Sequence, residues 1–154
     1  MMDRNLLISA SFIGILCGVW AGAAPLIGLS IWAGFAGCTA FFASGIHKFE
    51  GFFITSLTGI VGVGTALAMI WLSGVIGLGT LGVGLAVGLI VVFIVMMGAV
   101  PWLRFVPGIF VGCYSTFAID GDWKLLIMSY VVGVALGMIC DWGAEVLVKR
   151  FGVS

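Results

Sequence analysis

Residues Gly98 to Trp123 read GAVPWLRFVPGIFVGCYSTFAIDGDW. This stretch holds Pro101 and Pro107, the one arginine far from either terminus (Arg104), and the densest run of polar side chains in an otherwise apolar chain. It also has an echo upstream. Gly22-Ala23-Ala24-Pro25 matches Gly98-Ala99-Val100-Pro101, Gly37-Cys38 matches Gly112-Cys113, and Phe42-Ala43 matches Phe117-Ala118. A weaker correspondence sets Ile60-Val61-Gly62-Val63 against Val131-Val132-Gly133-Val134, and Trp71 against Trp142. The offsets fall from 76 to 75 to 71 residues along the chain, which differences in loop length account for. The chain therefore reads as a single membrane domain over 1–154, made of two related halves, about 5–73 and about 80–150.

Composition places those halves in a membrane. The 154 residues are 63% hydrophobic and 8% charged, whereas soluble domains run near 45–50% apolar and about 25% charged. Apolar runs of about twenty residues match a bilayer core of about 30 Å. The chain holds enough of them for about six crossings, which predicts an all-α polytopic protein. Formal charge is zero, and no basic run points to nucleic acid. Cys17, Cys38, Cys113 and Cys140 fall inside apolar runs without CxxC spacing or a histidine cluster. They read as small buried apolar residues, with no metal or cofactor expected. The N-terminus imitates a signal peptide ending at Ala21-Gly22-Ala23. The same Gly-Ala-x-Pro recurs deep in the chain, so a helix end is the more economical reading.

In order, the expected spans are Leu6–Ala23, Pro25–Ser44, Phe52–Ser73, Thr80–Met97, Pro101–Ile119 and Trp123–Arg150. Gly14, Gly18 and Gly22 form a small-residue face on the first; Thr58, Gly62 and Ala66 do so on the third, and Gly84 and Gly88 on the fourth. Such faces let helix backbones approach closely. Pro25 suits a first helical turn. Pro107 should kink the fifth span or delay its start, and a helix beginning only there is too short to cross alone. Gly45–Glu50 is a polar link and Gly74–Gly79 a glycine-rich turn. With an inside N-terminus, Arg4, Lys48, Arg104, Lys149 and Arg150 all fall inside and only Lys124 outside. That bias predicts both termini in the cytoplasm. Trp32, Trp71, Trp102, Trp123 and Trp142 lie near span ends, as interface anchors do.

Three spans per half would force the halves into opposite orientations, the inverted repeat common among transporters and channels. The second and fifth spans then become mates. Their path-lining candidates are Phe35, Cys38, Thr39 and Phe42 from one half and Phe110, Cys113, Tyr114, Thr116 and Phe117 from the other. A narrow, aromatic, nearly uncharged path suits a small neutral solute or a weak acid crossing in its neutral form. The alternative is that these aromatics face lipid or pack the core.

Ionisable residues inside spans are functional candidates by default. Gly133, Gly137, Asp141, Glu145 and Lys149 recur every four residues, so one stripe of the sixth helix packs at its outer end and turns acidic toward the cytoplasm. Arg104 is the expected partner of Asp141. Asp141, Arg104, Glu145 and His47 are the charge-coupling candidates, either as structural pairs or as a proton-sensing group. Asp120 and Asp122 read equally well as charges drawing cations to the outer mouth and as turn residues capping the next helix. No hydrolase triad, phosphate loop, HExxH or paired catalytic carboxylate occurs, so an enzyme is not expected.

Trp32 to Ala43, WAGFAGCTAFFA, together with Phe105 to Cys113, FVPGIFVGC, and Thr116-Phe117-Ala118, resembles a family of bacterial inner-membrane proteins. That family is grouped only as domain of unknown function number ten ninety-seven. The resemblance implies a small glycine-rich protein of the bacterial inner membrane, and it brings no substrate and no catalytic or binding residues. At the level of fold alone, a three-plus-three plan is similar to acid-gated urea channels and acetate transporters, which form rings of subunits. The expected function is a homo-oligomeric channel or transporter for a small neutral or weakly acidic solute. The alternative is a non-transporting membrane scaffold or accessory subunit, and a proton-coupled transporter depends on Asp141.

Overall fold

Where side chains are this apolar and water is excluded, each backbone amide and carbonyl must be satisfied within its own segment, which selects helices. A computed structural model describes residues 4–152, and Met1 to Asp3 of the signal-like N-terminus lie outside the described residues. Six α-helices form: α1 (Arg4–Ala23), α2 (Ile31–Ser44), α3 (Lys48–Ile76), α4 (Thr80–Met97), α5 (Val106–Ala118) and α6 (Trp123–Phe151). Short 3-10 turns, Ala24–Ile27 and Pro101–Leu103, precede α2 and α5. The order long helix, proline-opened turn, short helix, 29-residue helix thus occurs twice.

Among the described residues four helices are long and apolar enough to cross a membrane: α1 with its following turn, α3, α4 and α6. The second and fifth are not. Pro25 opens a 3-10 turn rather than α2, and the chain passes through Gly28 (φ 73°) before Ser30 caps α2 by accepting from the Ala33 amide. Pro107 sits in the first turn of α5, so that helix begins at Val106. At 1.5 Å per residue, α2 (14 residues) and α5 (13 residues) span about 21 and 20 Å, less than a hydrocarbon core of about 30 Å. The third helix is longer than expected, because Lys48 and Glu50 join its first turn and its last turn runs on to Ile76. Asp122 caps α6 by accepting from the Leu125 amide at 3.2 Å.

Close packing follows the glycines. A methyl added at Gly133 of α6 would collide with the carbonyl oxygen of Gly34 in α2, and one at Gly62 of α3 would collide with that of Ile109 in α5. The counterpart positions behave alike: Gly37 abuts the carbonyl of Tyr130, and Gly112 that of Gly59. These contacts map onto one another through the offsets of 75 and 71 read from the sequence. So α2 packs on α6 and α5 on α3, each short helix on the long helix of the other half. The helices α3 and α6 are antiparallel, since His47 meets Asp141 near one end while Val63 and Leu126 share a cluster toward the other.

The core between them is filled. Phe41, Ile54, Phe105, Tyr130 and Val134 form one cluster, and Ala66, Met69, Ile94, Ile109 and Cys113 a second. Trp20 is the tryptophan turned inward: its ring lies over Gly34, and its Nε1 donates to the Ile31 carbonyl at 3.0 Å. The other five tryptophans are exposed or nearly so. The stripe Thr58, Gly62 and Ala66 is buried as expected. Gly14, Gly18 and Gly22 of α1 and Gly84 and Gly88 of α4 are not covered, with nothing near the position of an added methyl. These two helices pack through other faces, on α6 and α3 respectively.

Candidate functional site

Depth separates the two short helices from the long ones. The Ser30 amide, at the start of α2, donates to the Ser129 hydroxyl at 2.9 Å. Ser129 lies six residues inside the start of α6, about 9 Å along its axis. On the other side Phe105, at the start of α5, packs in the cluster of Ile54, which lies six residues inside the start of α3, also about 9 Å. Both short helices therefore begin well below the ends of their long partners.

The path-lining candidates from these helices divide. Cys38, Cys113 and Thr116 are buried and committed to packing. Thr116 donates to the Gly112 carbonyl at 2.9 Å, and the Cys113 sulfur lies 3.8 Å from that of Met69. The thiol of Cys38 sits within interaction range of Cys17 on α1 and Cys140 on α6. Phe35 is half-buried, while Thr39, Phe42, Phe110, Tyr114 and Phe117 lie on the outer surface. Within one chain these residues do not face a common lumen.

Three buried hydroxyls were not singled out by sequence: Thr55, Ser56 and Ser115 have no hydrogen-bond partner among the described residues. Helical Ser and Thr ordinarily return their hydroxyl to a carbonyl one turn back. Thr58, Thr65 and Thr116 do so here. The unpartnered three are silent in sequence because rotamer and neighbours, not residue type, decide whether that bond forms. Tyr130 is buried beside the first of them, its hydroxyl donating to the Thr55 carbonyl at 3.5 Å.

The charges gather at the end of the bundle where α3 begins and α6 finishes. Asp141 pairs with His47, Nδ1 to Oδ2 at 3.0 Å, and not with Arg104. Arg104 instead reaches Glu50 at 3.4 Å. The reason is the crossed packing: α5 lies on α3 and carries Arg104 to the first turn of that helix, while α2 lies on α6 and brings the α2–α3 link to Asp141. Lys149 donates to Glu145 one turn away on α6. His47, Lys48, Asp141 and Glu145 line a polar cleft of about 450 Å3. Lys48 was legible in sequence only as a basic residue of the Gly45–Glu50 link on the cytoplasmic side. It holds a left-handed backbone (φ 59°), which no local motif announces.

Among the described residues six helices, four of them of membrane-crossing length and composition, with buried small-residue contacts and few charges, define a helical integral-membrane class. Residues 10–145 match the family described as "Protein of unknown function (DUF1097)". The chain belongs to that family. It is 38% identical to the inner membrane protein YcdZ of Salmonella typhimurium, over 86% of this chain and 84% of the relative. It is also 38% identical to the Escherichia coli protein of that name, over 86% and 82%. A more distant relative is the uncharacterized protein YahC of Escherichia coli, 29% identical over 88% of each chain. No solved structure gives a significant match.

Proposed function

We propose that this protein is a channel or facilitator for a small neutral or weakly acidic solute, built as two inverted three-helix repeats in the bacterial inner membrane with both termini cytoplasmic. The carrying observation is the pair of short helices, each preceded by a proline turn and beginning about 9 Å inside its long partner. Helices interrupted at membrane depth mark the solute sites of inverted-repeat transporters, because irregular backbone there is tolerated where it is buried in protein or lines a cavity. The buried, unpartnered hydroxyls of Thr55, Ser56 and Ser115 would add hydrogen-bonding capacity for a small polar solute only when the packed core opens, and a bare ion would find it insufficient. The outward Thr39, Phe42, Phe110, Tyr114 and Phe117 line a passage in this reading only where a second copy closes over them, so it includes a homo-oligomer. It includes no enzymatic activity and no nucleic-acid partner.

A second reading, a non-transporting scaffold or accessory subunit, is favoured by the uncovered glycines of α1 and α4, which suit the backbone of a partner helix. Light scattering of vesicles containing the purified protein, challenged with urea, glycerol, acetate, formate and ammonia at two pH values, separates the two. Accelerated entry of one solute is expected. Entry no faster than in empty vesicles, from protein shown to be folded, would sink the channel reading in favour of the scaffold.

A further inference from the structure

On the charged end of the bundle a groove of about 460 Å3 opens between the first turn of α3 and α6, lined by Lys48, Phe49, Met138, Ile139 and Trp142. Its walls are apolar except for Lys48, which also lines the polar cleft with His47, Asp141 and Glu145. The two cavities thus adjoin at Lys48, an apolar groove and a polar cleft with a cation between them. The groove's volume lies in the range of small-molecule pockets, roughly 300–1,000 Å3. Phe49 and Trp142 are exposed at its mouth, as aromatic side chains are at a bilayer interface.

The electrostatics narrow the occupant. Lys48 is in no ion pair among the described residues; its charge acts on Glu145 across the cleft without direct contact, which leaves its N–H donors open to an anion. Asp141 is held by His47 and Glu145 by Lys149, and each carboxylate keeps acceptor sites after that one bond. A ligand matching all three features carries an acyl chain for the groove, a phosphate for Lys48 and a compact hydrogen-bond-donating cation for the carboxylates. The geometry points to a phospholipid with a primary-ammonium headgroup, of the ethanolamine class. A choline headgroup supplies the charge without N–H donors, and a glycerol headgroup supplies no cation. This assignment stands whether or not the protein conducts a solute.

The test is retention of lipid by the purified full-length chain, read by native mass spectrometry after equilibration with equal amounts of ethanolamine, choline and glycerol phospholipids of identical acyl chains. Charge-assisted hydrogen bonds predict an ethanolamine preference of about tenfold over either competitor. Lys48→Gly keeps the left-handed backbone accessible and should lower retention of all three lipids. Replacing both carboxylates, Asp141→Asn with Glu145→Gln, should bring the ethanolamine lipid down to the choline level. Ile139→Trp fills the groove from its exposed side, leaves the charges in place and should also lower all three. Equal retention of the three lipids by the unmodified protein, a preference for the glycerol lipid, undiminished retention in Lys48→Gly, or an ethanolamine preference that survives the double substitution Asp141→Asn with Glu145→Gln would overturn the assignment.

Discussion

Replacing Gly133 with alanine tests the close helix contacts on which the fold depends. The added methyl would meet the carbonyl oxygen, carbonyl carbon and Cα of Gly34, all of them backbone. No side chain can swing aside, so α2 and α6 must separate. Overpacking of this kind destabilises by about 1–3 kcal/mol, and rigid backbone on the far side puts this case near the upper figure. Alanine regains about 1 kcal/mol of helix propensity over glycine. The expected net loss is about 2 kcal/mol. In lipid the association of helices rests on van der Waals packing and not on the hydrophobic effect, so little else compensates. Gly18→Ala is the control, because nothing approaches that site and the propensity gain should stand alone. The assay is the midpoint of SDS-induced unfolding of the purified protein, followed by circular dichroism. Gly62→Ala, which would strike the Ile109 carbonyl, should lose as much as Gly133→Ala. If Gly133→Ala is as stable as Gly18→Ala, the α2–α6 contact described here is wrong.

The His47–Asp141 pair has an exposed histidine and a half-buried carboxylate, so a double-mutant cycle of His47→Gln and Asp141→Asn should give a coupling below about 1 kcal/mol. On the channel reading, Asp141→Asn should leave solute flux unchanged across pH if the pair is structural, and abolish its pH dependence if Asp141 couples protons. Arg104 and Glu50 are both more than half exposed, and unfolding titrations of Arg104→Gln should show a coupling to Glu50→Gln that is weak and vanishes in about 1 M salt. In a Cys113→Ser background a short thiol cross-linker should join Cys17 to Cys38 or Cys140 within one chain, as intact-mass analysis would detect. Cross-linking of Cys17 to Cys113 in the unsubstituted protein, in preference to those two, would contradict the placement of α1.

Much of the helix plan was legible along the chain because prolines and glycines act locally. Pro107 marks the delayed start of α5, and the four-residue step from Gly133 through Gly137 to Asp141 places all three on one face of α6. That face then meets Gly34, Phe41 and His47 in turn. Pro25 was read too literally. It opens a helical turn, but Gly28 breaks that turn before α2 begins. The candidate site was less legible, since Cys38 and Thr39 are neighbours in sequence and yet one is buried and the other exposed. Residue type does not distinguish faces in a chain whose lipid side and core side are equally apolar.

The sequence by itself determined that the chain is helical, that its apolar runs are of membrane length and where most of its turns fall. Those properties follow from backbone satisfaction without water and from the short-range effects of proline and glycine. Only the tertiary structure decided which helix packs on which. The crossing of α2 onto α6 and α5 onto α3 sends Asp141 to His47 and Arg104 to Glu50, and it leaves the glycines of α1 and α4 uncovered. Partner choice there depends on complementary shape between residues about a hundred positions apart, as between Gly34 and Gly133, and no local pattern encodes that.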